Sequence, residues 1–523
     1  MLRQATGPLL SIGFLAQLAC SPPVVPGTEA LRIGASYELV DLDPHRSDTQ
    51  SSSALLSNVY EPLVATDADA RLVPRLARTW DNPDARTWIF HLRQGVVFHD
   101  GSPFTASDVA ASLERIRGDA SLEMRKKLSG VETVRIRDRT TIELKTRDPD
   151  RMLLQRLTGI LILSRGAGAG VGTGPYRIAD WSPARLSLAR FEAYWGARPA
   201  FGRVEYALGL DPEAALAALH RGRIGLADVR GRRKAGAVGR FRAARRASLY
   251  TKFLAFDLAR ARTPGVAGRP NPFRDPRVRR ALHLGIDRHA LVARLSTDAE
   301  LASQPVPRSV FGFHPGLPEP AFDLAQAREL LSEAGLGAGF DAVLLTRHVL
   351  EEPARLVAQD LAALGVRLRV EARPDADFFE ALRAGEASVW LDRVACISGD
   401  AYELLADFLH SRDTARRLGS ANDFGFADPE LDRGIERSVE IEDDMERRDA
   451  LSKLLARVME ELPLLPLFVD RDAYLHDPAI AFVPRYDGEI RAYEVERVAP
   501  GGGSEQAVRT LSAKRSARNG HSS

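Results

Sequence analysis

Cysteine is scarce in this chain: 523 residues carry two thiols, Cys20 and Cys396. Two cysteines cannot build a disulfide-stapled framework, so stability has to come from apolar cores. No apolar stretch reaches the roughly 20 residues that a bilayer-spanning helix needs. Net charge is almost absent too, because 72 Lys plus Arg against 70 Asp plus Glu leaves +2. That balance excludes the whole-chain electrostatic footprint of a nucleic-acid binder. Lysine itself is rare, 7 against 65 arginines, a skew that fits genome composition better than phosphate chemistry. The common zinc spacings, His-Glu-x-x-His and Cys-x-x-Cys, are missing, as is the Gly-x-Ser-x-Gly elbow of serine hydrolases. His283 and His289 lie six apart, off any shared helical face, and read as ordinary solvated side chains. No metal or other cofactor is expected. Nor is there an internal repeat of 20 to 50 residues.

What is present is a globular composition, 45% hydrophobic and 27% charged, in a chain long enough for two or three packed units. Met1 to Ala19 has a basic start at Arg3 and a short apolar run, the pattern of a signal peptide. Ala19-Cys20 resembles the lipobox of bacterial lipoproteins, which implies acylation of Cys20 and a membrane anchor; ordinary cleavage and an uncleaved form are the alternatives. Residues 20–30 then read as a tether. The Arg- and Ser-rich stretch 501–523 is too polar to order itself.

Along the body, Leu31 to Ala35 alternates as a strand and Ser52 to Tyr60 reads as a helix. Thr87 to Leu92 is β-rich, and Thr105 with Asp108 forms a capping-box signature for a helix to about Arg117. Val131 to Ile136 and Thr141 to Thr146 predict a hairpin. Further on, strands (Phe340 to Thr346, Val366 to Glu371, Ala387 to Ala395) alternate with helices (Glu352 to Leu364, Asp375 to Ala384) closed by Gly365 and Gly385. That order predicts an α/β fold, a sheet covered by helices. Glu430 to Glu461 reads as one long helical region ending near Pro463. Gly166 to Gly174 lacks the Gly-Lys-Ser/Thr of a phosphate loop and reads as a flexible connector. Arg230 to Lys234, with Arg240, Arg242, Arg245 and Arg246, reads as a solvated surface loop. Cys396, at the end of an apolar strand, reads as structural or site-lining; a nucleophilic role for it is the enzyme-class alternative.

Five stretches in order carry a resemblance. They begin with Leu42-Asp43-Pro44-His45, Val59-Tyr60-Glu61-Pro62-Leu63 and the long run Trp88 to Val109 through His99-Asp100-Gly101. Thr173-Gly174-Pro175-Tyr176 with Tyr194-Trp195 follows, then Asn271 to Leu282 with Ile286-Asp287-Arg288, then Phe322 to Leu336. The last is Asp428 to Asp432 with Arg447-Arg448 and Glu461 to Leu467. Together they are similar to the bacterial extracellular solute-binding proteins of family 5, the oligopeptide-, dipeptide- and nickel-binding components of ABC importers. The resemblance implies a two-lobed periplasmic-binding-protein clamshell, type II-like, with an extra small α+β domain. Lobe I is then 31–61, 175–262 and 478–500, the accessory domain 62–174 and lobe II 263–477. It further implies a monomeric, non-enzymatic carrier in the periplasm or cell envelope that delivers a peptide or peptide-like solute to permease subunits. A ligand-sensing receptor of the same fold is the rival, and nickel or haem are alternative solutes.

By the same resemblance, Asp48 and Gln50 line an extended edge beside the ligand. Cys396-Ile397-Ser398-Gly399-Asp400 forms the facing segment, in which Cys396 and Ser398 line the site and Asp400 pairs with the ligand's α-ammonium. A second reading makes Asp400 the cap of the helix that follows. Arg393 either pairs with an acidic solute or is a surface strut.

Overall fold

A computed structural model describes residues 30–230, 239–295 and 298–498. The leader with Cys20, most of the tether, the basic residues Arg232 to Lys234 and the tail lie outside the described residues. No helix among the described residues is long and apolar enough to cross a membrane.

One mixed sheet of eleven strands runs through the molecule. Its order from one edge is Val366–Arg373, Phe340–Arg347, Val389–Ala395, Arg242–Phe256, Leu464–His476, Leu226–Asp228, Ala30–Gly34, Arg203–Ala207, Arg185–Arg190 and Tyr176–Ser182, with Ala299–Leu301 added beside Leu464–His476. The two central strands, of 15 and 13 residues, pair antiparallel along their length. Their register slips between Ala247 and Thr251, where a bulge bends the strand. On either side of that bend the strands serve different interiors. Leu254, Phe256, Leu465 and Leu467 pack with the helices of 276–361, whereas Ala244 and Tyr474 pack with Leu31, Tyr60 and Tyr206. The sequence division puts these changeovers at 262/263 and 477/478. The side-chain cores change over inside the two strands instead, because an alternating strand can bury one stretch in each lobe without a break.

A third core fills the accessory unit. There Leu63, Phe90, Val109, Leu144 and Leu157 meet between a four-stranded antiparallel sheet and the helix Ala106–Gly118. The Thr105 N–H donates to Asp108 Oδ2 at 2.9 Å, as the capping-box spacing predicts. The predicted elements of the second half are found as Phe340–Arg347, Glu351–Ala362, Val366–Arg373, Asp375–Ala384 and Val389–Ala395.

Several expectations need correction. Glu430 to Glu461 is two helices, Pro429–Ser438 and Asp444–Glu461, because Asp443 caps a fresh start by accepting from the Met445 and Glu446 N–H groups. The glycine run is not merely a flexible connector: a side chain on Gly172 would collide with the Val59 carbonyl, and one on Gly174 would stand 2.6 Å from the Val59 carbonyl carbon. These glycines let two backbones touch. Arg240 is exposed in a turn, as a solvated loop predicts, but the other described arginines are not simply a solvated loop. Arg230 grips buried Asp228 at 2.7 Å, and Arg242, Arg245 and Arg246 belong to a central strand, Arg246 reaching Asp69 at 2.9 Å. His283 is part-buried beside Arg288 and, chiefly through burial, its pKa is lowered to about 3, so it is neutral rather than solvated and titrating.

Candidate functional site: the junction of lobe II with lobe I and its accessory unit

The strand Val389–Ala395 ends in the turn Cys396 to Gly399, and Asp400 opens the short helix Ala401–Leu404, which passes into a widened π turn over Leu405–Leu409. Gly399 has φ +72°, and a Cβ placed on it would stand 2.7 Å from the Ala70 Cβ of the accessory unit. Only glycine combines that left-handed backbone with so close an approach. Across the same junction, Arg151 of the accessory unit donates to the Glu442 carbonyl at 2.7 Å and lies 3.6 Å from Asp444.

Asp400, expected to meet a ligand's ammonium, is already engaged. Its carboxylate takes two hydrogen bonds from Arg447, at 2.6 and 3.1 Å, and one from the Tyr402 N–H at 2.9 Å. Both side chains of the pair are about 95% buried, with 5% and 4% exposed. Arg447 also donates to the Ser438 carbonyl at 3.1 Å and stands over the Phe311 ring at 5.4 Å. The cap reading of Asp400 is therefore realised, with a buried counter-ion added.

Two carboxylates one and two turns further on are differently placed. Glu403 accepts from the Ser398 N–H at 2.7 Å, and burial pushes its pKa above the usual range despite the charge of Lys127 across the junction. Asp407 is pushed up by burial as well. Neither has a salt bridge among the described residues.

Of the other expected residues, Cys396 and Ser398 share the loop with Asp400. The Cys396 thiol is buried, donates to the Asp400 carbonyl at 2.9 Å, and burial, with Glu403 and Asp400 next, raises its pKa well above the ordinary thiol value. Such a thiol is held protonated, which makes it a poor nucleophile. Asp48 sits on the opposite lobe but turns to the accessory unit, meeting Lys127 at 2.8 Å and Lys126 at 2.9 Å. The Gln50 amide donates to the Asp487 carbonyl. Arg393 is exposed and lies over the Tyr250 ring at 4.7 Å, with no contact to the others. Residues that sequence reasoning missed are Arg447 as partner, Glu403 and Asp407. The i+3 spacing after Asp400 was a local signal for Glu403; no local signal links Asp400 to Arg447. Among the described residues no group of three or more His, Cys, Asp or Glu side chains could hold a metal ion.

Comparison with known proteins agrees with this architecture. A glutathione-binding protein, GsiB, of Pectobacterium atrosepticum is 26% identical over 389 residues, covering 70% of this chain and 73% of its own. Di/tripeptide-binding protein 2 of Pseudomonas aeruginosa is 26% identical over 514 residues, covering 88% and 92%. The solved structure of HbpA2 from Haemophilus parasuis superposes with a TM-score of 0.78 at 20% identity, covering 90% of this chain and all of that one. The description "Bacterial extracellular solute-binding proteins, family 5 Middle" matches residues 71–416. This chain belongs to the family 5 bacterial extracellular solute-binding proteins.

Proposed function

We propose that the chain captures a short peptide or peptide-like solute bearing a free α-ammonium between its lobes, and delivers it to the permease of an ABC importer. In this reading it is a monomeric, non-catalytic carrier outside the cytoplasm, held at a membrane through acylated Cys20. The lobes divide inside the two central strands, and the bend at Ala247 to Thr251 is the hinge. Asp48, Gln50, Cys396 and Ser398 shape the walls, and Arg393 is a strut. Asp400 acts through Arg447 to hold the site loop.

The observation that carries the reading is the contrast between Asp400, neutralised by Arg447, and Glu403 and Asp407, which burial disfavours as anions and which no arginine among the described residues pairs with. A desolvated ammonium arriving there supplies the missing charge through short, charge-assisted hydrogen bonds. The names of the relatives, di/tripeptide-binding and glutathione-binding, support the solute class. Calorimetric titration of the mature protein with free and N-acetylated tripeptides, glutathione included, tests it. Free amines should bind, with acetylation costing at least about tenfold. Equal affinity for both forms, or no binding of any peptide, would overturn the assignment.

A further inference from the structure

Beside this junction lies a cavity of about 560 Å³ lined by Arg117, Arg125, Lys126, Arg147 and Arg417 with Glu123. Five cations face one carboxylate there. Arg117 is matched by Glu114 at 2.7 Å and Lys126 by Asp48 at 2.9 Å. The side chains of Arg125, Arg147 and Arg417 have no acidic partner among the described residues; Arg125 reaches only the Arg117 carbonyl, at 3.3 Å. These three arginines are exposed around a half-open cleft, so their summed positive charge attracts small anions from solution, and the cleft is within the size range of small-molecule sites.

Four of the cations come from the accessory unit and the fifth from lobe II. Arg417 is held at φ 60°, a conformation that side chains other than glycine adopt at a cost and that concentrates at functional sites. It sits in a hairpin whose ends, Asp413 and Leu418, exchange backbone hydrogen bonds at 2.9 and 3.0 Å. The same segment is fastened to the turn carrying Asp407, because the Gly419 N–H donates to the Ala406 carbonyl at 2.7 Å and the Ala421 N–H to the Asp407 carbonyl at 2.9 Å. An anion in the cavity therefore bridges the accessory unit to the part of lobe II that carries the unpaired carboxylates.

We propose that this cavity is an anion-binding subsite for the captured solute, and that the preferred solute class is a short peptide carrying two or more carboxylates. The solute assignment rests on the peptide-capture reading above; the anion site itself does not. Arginine suits the task because its planar fork meets a carboxylate with two parallel hydrogen bonds.

The test uses the mature chain, the double variant Arg125→Ala/Arg417→Ala, and Arg177→Ala as an exposed control. Citrate is the small anionic probe, read by thermal shift at fixed ionic strength, and Ala-Ala-Ala and Glu-Ala-Glu are compared by calorimetry. Citrate should stabilise the wild type and the control but not the double variant. The acidic tripeptide should bind the wild type at least about tenfold more tightly than Ala-Ala-Ala, a preference that the double variant loses and the control keeps. Peptides binding without regard to charge, together with no citrate effect, would overturn the subsite and leave peptide capture standing. A citrate effect that the double variant abolishes, with no peptide bound by any form, would uphold the anion site and overturn both peptide capture and the solute assignment.

Discussion

Removing the arginine of the Arg447–Asp400 pair should unfold the site loop, and the size of the effect follows from burial. In Arg447→Met the Asp400 carboxylate, 4% exposed, keeps only the Tyr402 N–H at 2.9 Å. Stranding one buried charge costs about 3–5 kcal/mol. Asp400→Asn should cost less, about 2–3 kcal/mol, because Arg447 retains the Ser438 carbonyl and the Phe311 ring. The double variant Asp400→Asn/Arg447→Met should be more stable than Arg447→Met alone, since no charge is then left unpaired. Urea unfolding at pH 7.5, with the slope checked for constancy across the cycle, measures all four proteins. If Asp400→Asn left the midpoint unmoved while abolishing peptide binding, the structural role given to this pair would be refuted and Asp400 would be the ligand anchor.

Other consequences can be read from the same structure. Gly399→Ala forces a Cβ to 2.7 Å from that of Ala70 on a backbone at φ +72°; peptide affinity should fall with little change in the fold's circular dichroism, and unchanged affinity would show that the two lobes need not meet there. Burial raises the pKa of Asp407, so the folded state binds its proton more readily than the unfolded chain and stability drops as pH rises. Asp407→Asn should accordingly raise the melting temperature at pH 7.5, with the gain vanishing in acid, while weakening peptide binding. Asp472, on a central strand, is raised from 3.8 to about 6, chiefly by burial and against the pull of Arg230. This group thus destabilises by roughly 3 kcal/mol as pH climbs from about 4 to 7, and Asp472→Asn should flatten that part of the stability–pH curve.

Local signals were legible in the sequence wherever the chain's own period decided the outcome. The capping box at Thr105 and Asp108 and the alternating hairpin of 131–146 are examples. The helix–strand order of 340–395 is another, and from it the α/β class follows. The central strands were harder to see. Arg242 to Ala247 reads as a basic run because its arginines pair with distant partners, Arg245 with Asp298 and Arg246 with Asp69. The side-chain cores consequently change over in the middle of strands that sequence punctuation does not mark. At the site, the family resemblance located the loop 396–400 but assigned its aspartate by pattern. What Asp400 touches is fixed by Arg447, 47 positions away, and pairing at that separation leaves no trace in local spacing. That Glu403 and Asp407 have no salt bridge among the described residues is likewise set by tertiary placement, which no local spacing records.

A peptide captured between the lobes must be held by both of them. Hydrogen–deuterium exchange of the mature protein with and without a saturating tripeptide tests this most directly. Slowed exchange is expected in two places at once: in lobe II over 396–407, and across the junction around 66–71 of the accessory unit and 486 of lobe I, which face that loop. Protection confined to one lobe, or appearing only away from these segments, would contradict it.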